Sequence, residues 1–404
     1  MRPGHWSVGR PYAGVDEKTL APVVKLRPAL SLSVHACFEE LRSEWTAFEK
    51  HAATTVYQSH MWCATWQETA GAARGTMPRI VVARNPAGQI VFILPMQVRR
   101  SFGLRILEWH GAPHCSYGYG VFARSFLPMA GSWFNEHGAE VLEIAGPADA
   151  IALTDMPDAL CGHSHPLRFL FTMRGPNRSY SLALEPNYES VYASRRSKES
   201  RRTACKKDKA LARTGSVEFG LPRGKEETRE VLDIMFRQQE SRLAEQGVHG
   251  AFGEAERRFI HRLAEKQDET RPFLLPYTLR CNGEILAVML GGSFGGTYWA
   301  LISSLASTPL RKYSPGDLAL RQTIAAACQS GLDSFDFAAG DTSYKLHWAS
   351  DVLPLNTALK ANTLRGFAWT ALAALATLVK HHVKRSPALR QAALGLRRWI
   401  AGRG

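Results

Sequence analysis

Apolar residues recur at helical spacing from His35 to His51 and again from Gln58 to Glu68. In the second run Met61, Trp62 and Trp66 fall on apolar positions, so the pattern predicts two helices. The period then changes to two. Arg79 to Arg84 alternates as a strand, Asn85-Pro86-Ala87-Gly88 is a turn, and Gln89 to Val98 is a longer strand. Leu104 to Trp109 supplies a third strand. A helix around Ser132 to His137 follows, then Gly138 and a short strand from Glu140 to Ile144 that closes on Ala145-Gly146. Ahead of all this, Pro3, Pro11, Pro22 and Pro28 mark residues 1–30 as an irregular leader.

The second half repeats the order. Helices are predicted over Lys225 to Gln246 and Glu254 to Lys266. Strands follow at Phe273 to Arg280, Glu284 to Ser293 and Thr297 to Leu305, with Cys281-Asn282-Gly283 as a tight turn. A helix from Asp317 to Gln329 leads into a strand from Ser334 to Phe337, closing on Ala339-Gly340. Helices, three strands, a helix, a strand and Ala-Gly thus occur twice, which points to duplication of one α/β unit. The expected organisation is a leader (1–30), a supportive domain (31–180), a second domain bearing the chemistry (181–358) and a basic helical tail (359–404).

Composition adds little until the charges are located. The 404 residues are 45% hydrophobic, enough for two cores, and carry a net charge of +14. From Lys360 onward there are nine Lys and Arg and no acid. The run from Arg195 to Arg213 holds nine more against Glu199 and Asp208. The remainder is close to neutral, so the body is not a nucleic-acid coat. Seven scattered cysteines form no C-x-x-C pair, which argues against a disulfide framework or zinc ribbon and for a reducing cytoplasm. No signal-like run opens the chain, and the longest apolar stretch, Gly366 to Val379, is 14 residues, short of a bilayer span.

Several motifs compete for the chemistry. Gly291-Gly292-Ser293-Phe294-Gly295 fits the hydrolase elbow G-x-S-x-G, but strand-like residues follow where a helix is required, so a hairpin turn is expected. Gly118-Tyr119-Gly120-Val121-Phe122-Ala123 fits a dinucleotide fingerprint but lacks a βαβ setting, and reads as a loop. Cys161-Gly162-His163-Ser164-His165 has no second ligand cluster, so no metal site is expected. Two segments carry more. Arg311-Lys312-Tyr313-Ser314-Pro315-Gly316 lies between a strand and a helix start, where orphan N–H groups and the dipole seat a pyrophosphate. An ordinary capped loop is the alternative reading. Gly340-Asp341-Thr342-Ser343-Tyr344-Lys345-Leu346-His347-Trp348 gathers an acid, a phenol, an amine and an imidazole after a strand.

At these residues the chain resembles the acetyltransferases linked to cellulose and exopolysaccharide biosynthesis, a branch of the GNAT superfamily distantly akin to the FemABX peptidyl transferases. The resemblance runs from about Tyr57 to Pro354 and rests on an ordered set. That set is the Arg/Lys-rich helix, Arg242, Asn282-Gly283, Tyr313-Ser314-Pro315-Gly316, Phe335-Asp336-Phe337, Gly340-Asp341, and Tyr344-Lys345 with Trp348. It implies two tandem GNAT-like domains, each a mixed, mostly antiparallel sheet flanked by helices. It also implies an acyl-CoA pyrophosphate, from acetyl-CoA or a longer acyl-CoA, on a Q/R-x-x-G-x-G/A loop. Arg311, Lys312, Ser314, Pro315 and Gly316 fall on that loop, with serine in place of its first glycine. The family tends to carry Asp-Tyr in the first domain, where this chain has Ser116-Tyr117.

The expected activity is N- or O-acyl transfer to a sugar, amino-sugar or amine acceptor of the cell envelope or an exopolysaccharide. Tyr344 would protonate the departing thiolate, and Asp341 or Asp336 would serve as base. Lys198, Arg242, Lys345 and Trp348 would hold the acceptor. Two alternatives stay open: a FemABX-like transferase using aminoacyl-tRNA, and a non-catalytic scaffold of a polysaccharide-synthesis complex. The tail reads either as a helix packed on the second domain or as a peripheral anchor at the inner membrane face.

Overall fold

The alternating segments assemble into one sheet of fourteen strands. The computed structural model describes residues 24–26, 30–245, 253–267 and 272–386. In the first half, β1 (Val24–Leu26) and β2 (Leu30–His35) precede α1 (Arg42–Glu49) and α2 (His60–Trp66). A meander follows: β3 (Met77–Arg84), β4 (Ile90–Ser101) and β5 (Leu104–Trp109), with β6 (Val121–Phe122) against β4. Next come α3 (Leu127–Ile144), β7 (Ala150–Pro157), the ribbon β8 (Ala159–Leu160) and β9 (His163–Ser164), and β10 (Met173–Ala183).

The second half opens with α4 (Tyr188–Arg195), α5 (Lys198–Ala212) and β11 (Val217–Gly220). After α6 (Gly224–Glu245) and α7 (Glu254–Lys266) comes its meander: β12 (Leu274–Cys281), β13 (Glu284–Phe294) and β14 (Thr297–Leu305). Then α8 (Pro315–Gln329), β15 (Ser334–Asp336), α9 (Ser343–Trp348), β16 (Asp351–Ala361) and α10 (Leu364–Arg385) complete the described chain.

Each half therefore runs meander, helix, strand, with the last strand parallel to the third: β5 with β7, and β14 with β15. The halves are joined by exchange. The sheet order is β1-β2-β3-β4-β5-β7-β16-β10-β15-β14-β13-β12-β11. Thus β10 pairs with β15 of the second half, while β16 pairs with β7 of the first. Both long strands also pair with each other, which brings first-half loops against second-half strand ends.

Two predicted elements need correction. The strand expected at Glu140–Ile144 is the last part of α3, and the strand of that position is β7. Gly138 does not end the helix; a Cβ there would lie 2.1 Å from the Phe169 ring, so the glycine serves close packing. The helix expected from His35 begins only at Arg42, because His35 closes β2, whose register on β3 pairs it with Ile80. The turns behave as expected. Asn282 and Gly283 have φ of 51° and 80°, suited to a two-residue hairpin. Gly295-Gly296 (φ 59° and 77°) turns β13 into β14, so Ser293 is a strand residue and not a nucleophile at an elbow. All seven cysteines are unpaired.

α8 is anchored through its charge. Arg321, buried at 8% exposure, donates to Asp317 at 3.0 Å and to Asp208 of α5 at 2.6 Å. Removing the arginine leaves the part-buried Asp208 without this partner and Asp317 with Arg196 alone. Arg321→Ala should therefore cost about 2–3 kcal/mol of stability. Urea denaturation measures it; a loss under about 1 kcal/mol, typical of an exposed pair, would show the cluster to be solvated.

Candidate functional site

β14 and β15 pair only through Thr297–Ser334, Tyr298–Phe335 and Trp299–Asp336. Beyond that, β14 runs on to Leu305 paired with β13 but no longer with β15, so the sheet opens at the C-terminal ends of a parallel pair, where α/β sites gather. Alternation sends Phe335 into the core beneath α8 and Asp336 to the opposite face. There the Tyr117 hydroxyl, from a first-half loop, donates to Asp336 Oδ1 and Oδ2 at 2.9 and 3.0 Å. Tyr57, Tyr117 and Trp299 surround this contact with ring centroids 5.8 to 6.2 Å apart.

The backbone after Asp336 is bent to serve it. Ala338 takes φ 59°, a conformation strained for a residue with a Cβ. That twist aims its N–H at Asp336 Oδ1, 2.7 Å away. The carbonyls of Ala338 and Ala339 accept in turn from Lys345 Nζ at 3.2 and 3.1 Å. Burial pushes the Asp336 carboxyl up to about 7, against the hydrogen bonds and the Lys345 charge that favour ionisation. Burial brings Lys345 down to about 8. A buried carboxyl balanced near neutrality can take up a proton and release it.

Asp341 is a different kind of carboxylate. Burial pushes it up, but Tyr180 O–H at 2.7 Å and Arg178 at 3.3 Å outweigh that and hold it below the ordinary range. Its carboxylate is engaged by Tyr180 and Arg178.

The loop Arg311–Gly316 does stand at a helix start. Ser314 takes φ 59°, Pro315 opens α8, and Lys207 Nζ donates to Ser314 Oγ at 2.8 Å. A recess of about 460 Å³ is lined there by Arg196, Ser200, Thr203, Lys207 and Ser314, with the carboxylates Glu199 and Asp317 also on its wall. A Cβ on Gly316 would meet only a Leu305 methyl, at 3.6 Å. These residues fit an anion. Arg311 turns away instead, donating to the Ala306 carbonyl and to Glu245. Lys312 is exposed, lying over the Tyr313 ring. Arg196 and Lys207 are the cations that line the recess, Arg196 also pairing with Asp317 at 3.3 Å.

The remaining expected residues scatter. Tyr344 is 38% exposed beside Phe337; burial raises its pKa, and Thr342 and the Arg242 cation oppose that rise. Lys345 turns inward to backbone carbonyls, and Lys198 is an exposed residue at the start of α5. Trp348 cannot touch an acceptor: it is 0% exposed and stacks on Tyr192 at 5.6 Å. His165 is buried, with Nε2 against the Gly118 carbonyl, and no group of metal-binding side chains occurs among the described residues. Gly118 itself is a packing site, where a Cβ would lie 2.2 Å from Trp109.

A cavity of about 480 Å³ lies on the seam between the halves. Its lining includes Tyr117, Ser179, Thr297, Trp299, Ser334 and Asp336, with Glu49, Lys50 and Arg124 from the first half. Burial pushes Glu49 up to about 7 as well. Neither Tyr117 nor Glu49 stands out in the sequence. The one available signal is Ser116-Tyr117, which the resemblance sets against an Asp-Tyr pair.

Comparison with known proteins bears on the fold. Residues 198–346 match the family model of the acetyltransferase (GNAT) domain, which is less than half of the chain. No curated protein matches the chain in sequence. Among solved structures, that of FemX is 12% identical with a TM-score of 0.57, covering 80% of this chain and 96% of its own. The C-terminal domain of a putative lysylphosphatidylglycerol synthetase from Agrobacterium fabrum is 12% identical with a TM-score of 0.49, covering 84% and 95%. N-myristoyltransferase of Saccharomyces cerevisiae, with bound myristoyl-CoA, is 8% identical with a TM-score of 0.44, covering 84% and 80%. The second half of the chain thus carries a GNAT-type acetyltransferase domain, within an overall fold similar to that of FemX.

Proposed function

We propose that this protein is an acyl-CoA-dependent acyltransferase whose acceptor enters the seam cavity. The observation that carries the reading is Asp336, buried and poised near neutrality where β14 and β15 part, inside the stretch that matches the acetyltransferase model. Ser314, Gly316, Arg196 and Lys207 would hold the pyrophosphate of acetyl-CoA or a longer acyl-CoA. The acyl arm would pass through the opening between the strands toward the cavity. A thioester supplies the activated carbonyl.

Within the cavity Asp336 accepts the proton of the attacking hydroxyl or amine, and Tyr117 holds the carboxylate in place. Tyr344 gives its proton to the thiolate as the C–S bond breaks, and solvent restores it. The hydroxyls of Ser179, Thr297 and Ser334, with the Trp299 ring and Glu49, suit a sugar or amino sugar better than a plain alkyl amine. An acceptor from the cell envelope or an exopolysaccharide would supply that chemistry, with transfer on the cytoplasmic side.

A second reading, transfer from aminoacyl-tRNA, has one specific support. Arg202, Lys206, Lys209 and Arg213 are exposed along and just beyond α5, as phosphate contacts would be. Incubation with acetyl-labelled acetyl-CoA and, separately, with labelled aminoacyl-tRNA distinguishes the two. Against hexose and hexosamine acceptors, label is expected to move from the thioester. Label moving only from the charged RNA would reverse the assignment. Acyl-CoA binding without turnover on any acceptor would favour the scaffold.

A further inference from the structure

α10 lies across the strand exchange, packed on β7, β10 and β16. The face it turns inward is not its most apolar one. Gly366, Trp369, Thr370, Ala373, Thr377 and His381 point toward the sheet, and His381 pairs with the Gly175 carbonyl there. Outward stand Leu364 (92% exposed), Phe367 (66%), Leu372 (68%), Leu375 (58%), Leu378 and Val379. An apolar row of that length facing solvent calls for an occupant.

A second element adds to the row. The β4–β5 hairpin tip places Phe102 at 96% exposure, and its Gly103 lies against the Arg365 guanidinium at the start of α10. Phe102 is preceded by Arg100 and stands between Arg99, which pairs with Glu108, and Arg105, which pairs with Asp149. Lys380 is exposed near the end of α10, about 100° around the helix from Val379 and so beside the row, not on it. From Lys360 to the last residue the chain has nine cations and no acid, those beyond Ser386 lying outside the described residues. No helix among the described residues is long and apolar enough to cross a membrane.

We infer that the α10 face and the Phe102 tip form a docking surface for an anionic lipid bilayer. The apolar row would lie at the acyl boundary and the cations among the headgroups. Charge selects this occupant over a second copy of the chain. Two such faces packed together would bring one cationic end against another with no acid from the tail to relieve it. A soluble polyanion would satisfy the cations but leave the leucines and phenylalanines in water.

The inference is independent of the catalytic reading and is tested without activity. The intact protein is sedimented with phosphatidylcholine vesicles with and without phosphatidylglycerol, at low and high salt. Binding is expected only with the anionic lipid, and salt should weaken it. Lys380→Glu should reduce partition by more than the roughly fivefold expected for loss of one cation. Phe102→Ser and the double variant Leu372→Glu/Leu375→Glu should each reduce it at least about tenfold, since every buried methylene counts. All these positions are exposed, and an unchanged melting temperature confirms the fold of each variant. Equal binding to pure phosphatidylcholine would overturn the anionic assignment. Absence of vesicle binding would overturn the inference, whether the leucine variant then converts a dimer to a monomer in sedimentation velocity or leaves the protein unchanged.

Discussion

Asp336→Asn is expected to lower kcat by about 10²–10⁴-fold, the contribution of a positioned general base, while acyl-CoA affinity stays as it was. Asparagine is close to isosteric and can still accept from the Tyr117 hydroxyl and the Ala338 N–H, so the site should keep its shape. The pH profile gives the sharper readout. Wild-type kcat/KM should rise with pH along a limb centred near 7, as the carboxyl that burial holds protonated becomes a base. The variant should lose that limb.

Stability should move the other way. Folding raises this group from 3.8 to about 7, so its contribution is whole below the lower value and is lost as pH climbs through the upper. Asp336→Asn should flatten that decline in part, the remainder belonging to the other carboxyls that burial raises, Glu49, Glu108 and Asp155 among them. A variant with full kcat and an unchanged profile would remove Asp336 from the chemistry. Asp341→Asn serves as the contrast. Its carboxylate is already committed to Tyr180 and Arg178, so its loss should leave the position of the limb unaltered.

Gly316→Glu is expected to weaken acyl-CoA binding by roughly a hundredfold or more. A carboxylate about 5 Å from a diphosphate at an effective dielectric near 20 opposes it by about 3 kcal/mol. The substitution should not harm the fold. A Cβ at this position has open space around it except for one Leu305 methyl at 3.6 Å, and an acid in the first turn suits the helix dipole. Gly316→Ala should bind nearly as the wild type does, which separates charge from bulk. Affinity unchanged by the glutamate would move the anion site away from α8.

The meanders are legible in the sequence because their strands alternate cleanly and their turns carry Asn-Gly and Gly-Gly at positions requiring positive φ. Gly138 misleads, since a glycine that admits the Phe169 ring is written the same way as one that ends a helix. β10 and β16 are not legible because their partners come from the other half, and nothing local announces an exchange. The same limit applies to chemistry. Asp336 enters the reading through the family resemblance, and Ser314 and Gly316 through their place before a helix start. Tyr117 reaches Asp336 across 219 residues, and only the assembled sheet makes them partners. Trp348 suggests an acceptor contact because an aromatic near reactive residues looks the same in sequence whether it lines a pocket or, as here, fills a core.

The central claim is that the α8 start seats an acyl-CoA for a base at Asp336, and calorimetric titration of the intact protein with acetyl-CoA tests it most directly. The account predicts saturable heat at one site per chain, lost in Gly316→Glu and retained in Asp336→Asn. An intact, folded protein that gives no saturable heat with millimolar acetyl-CoA or a longer acyl-CoA would contradict it.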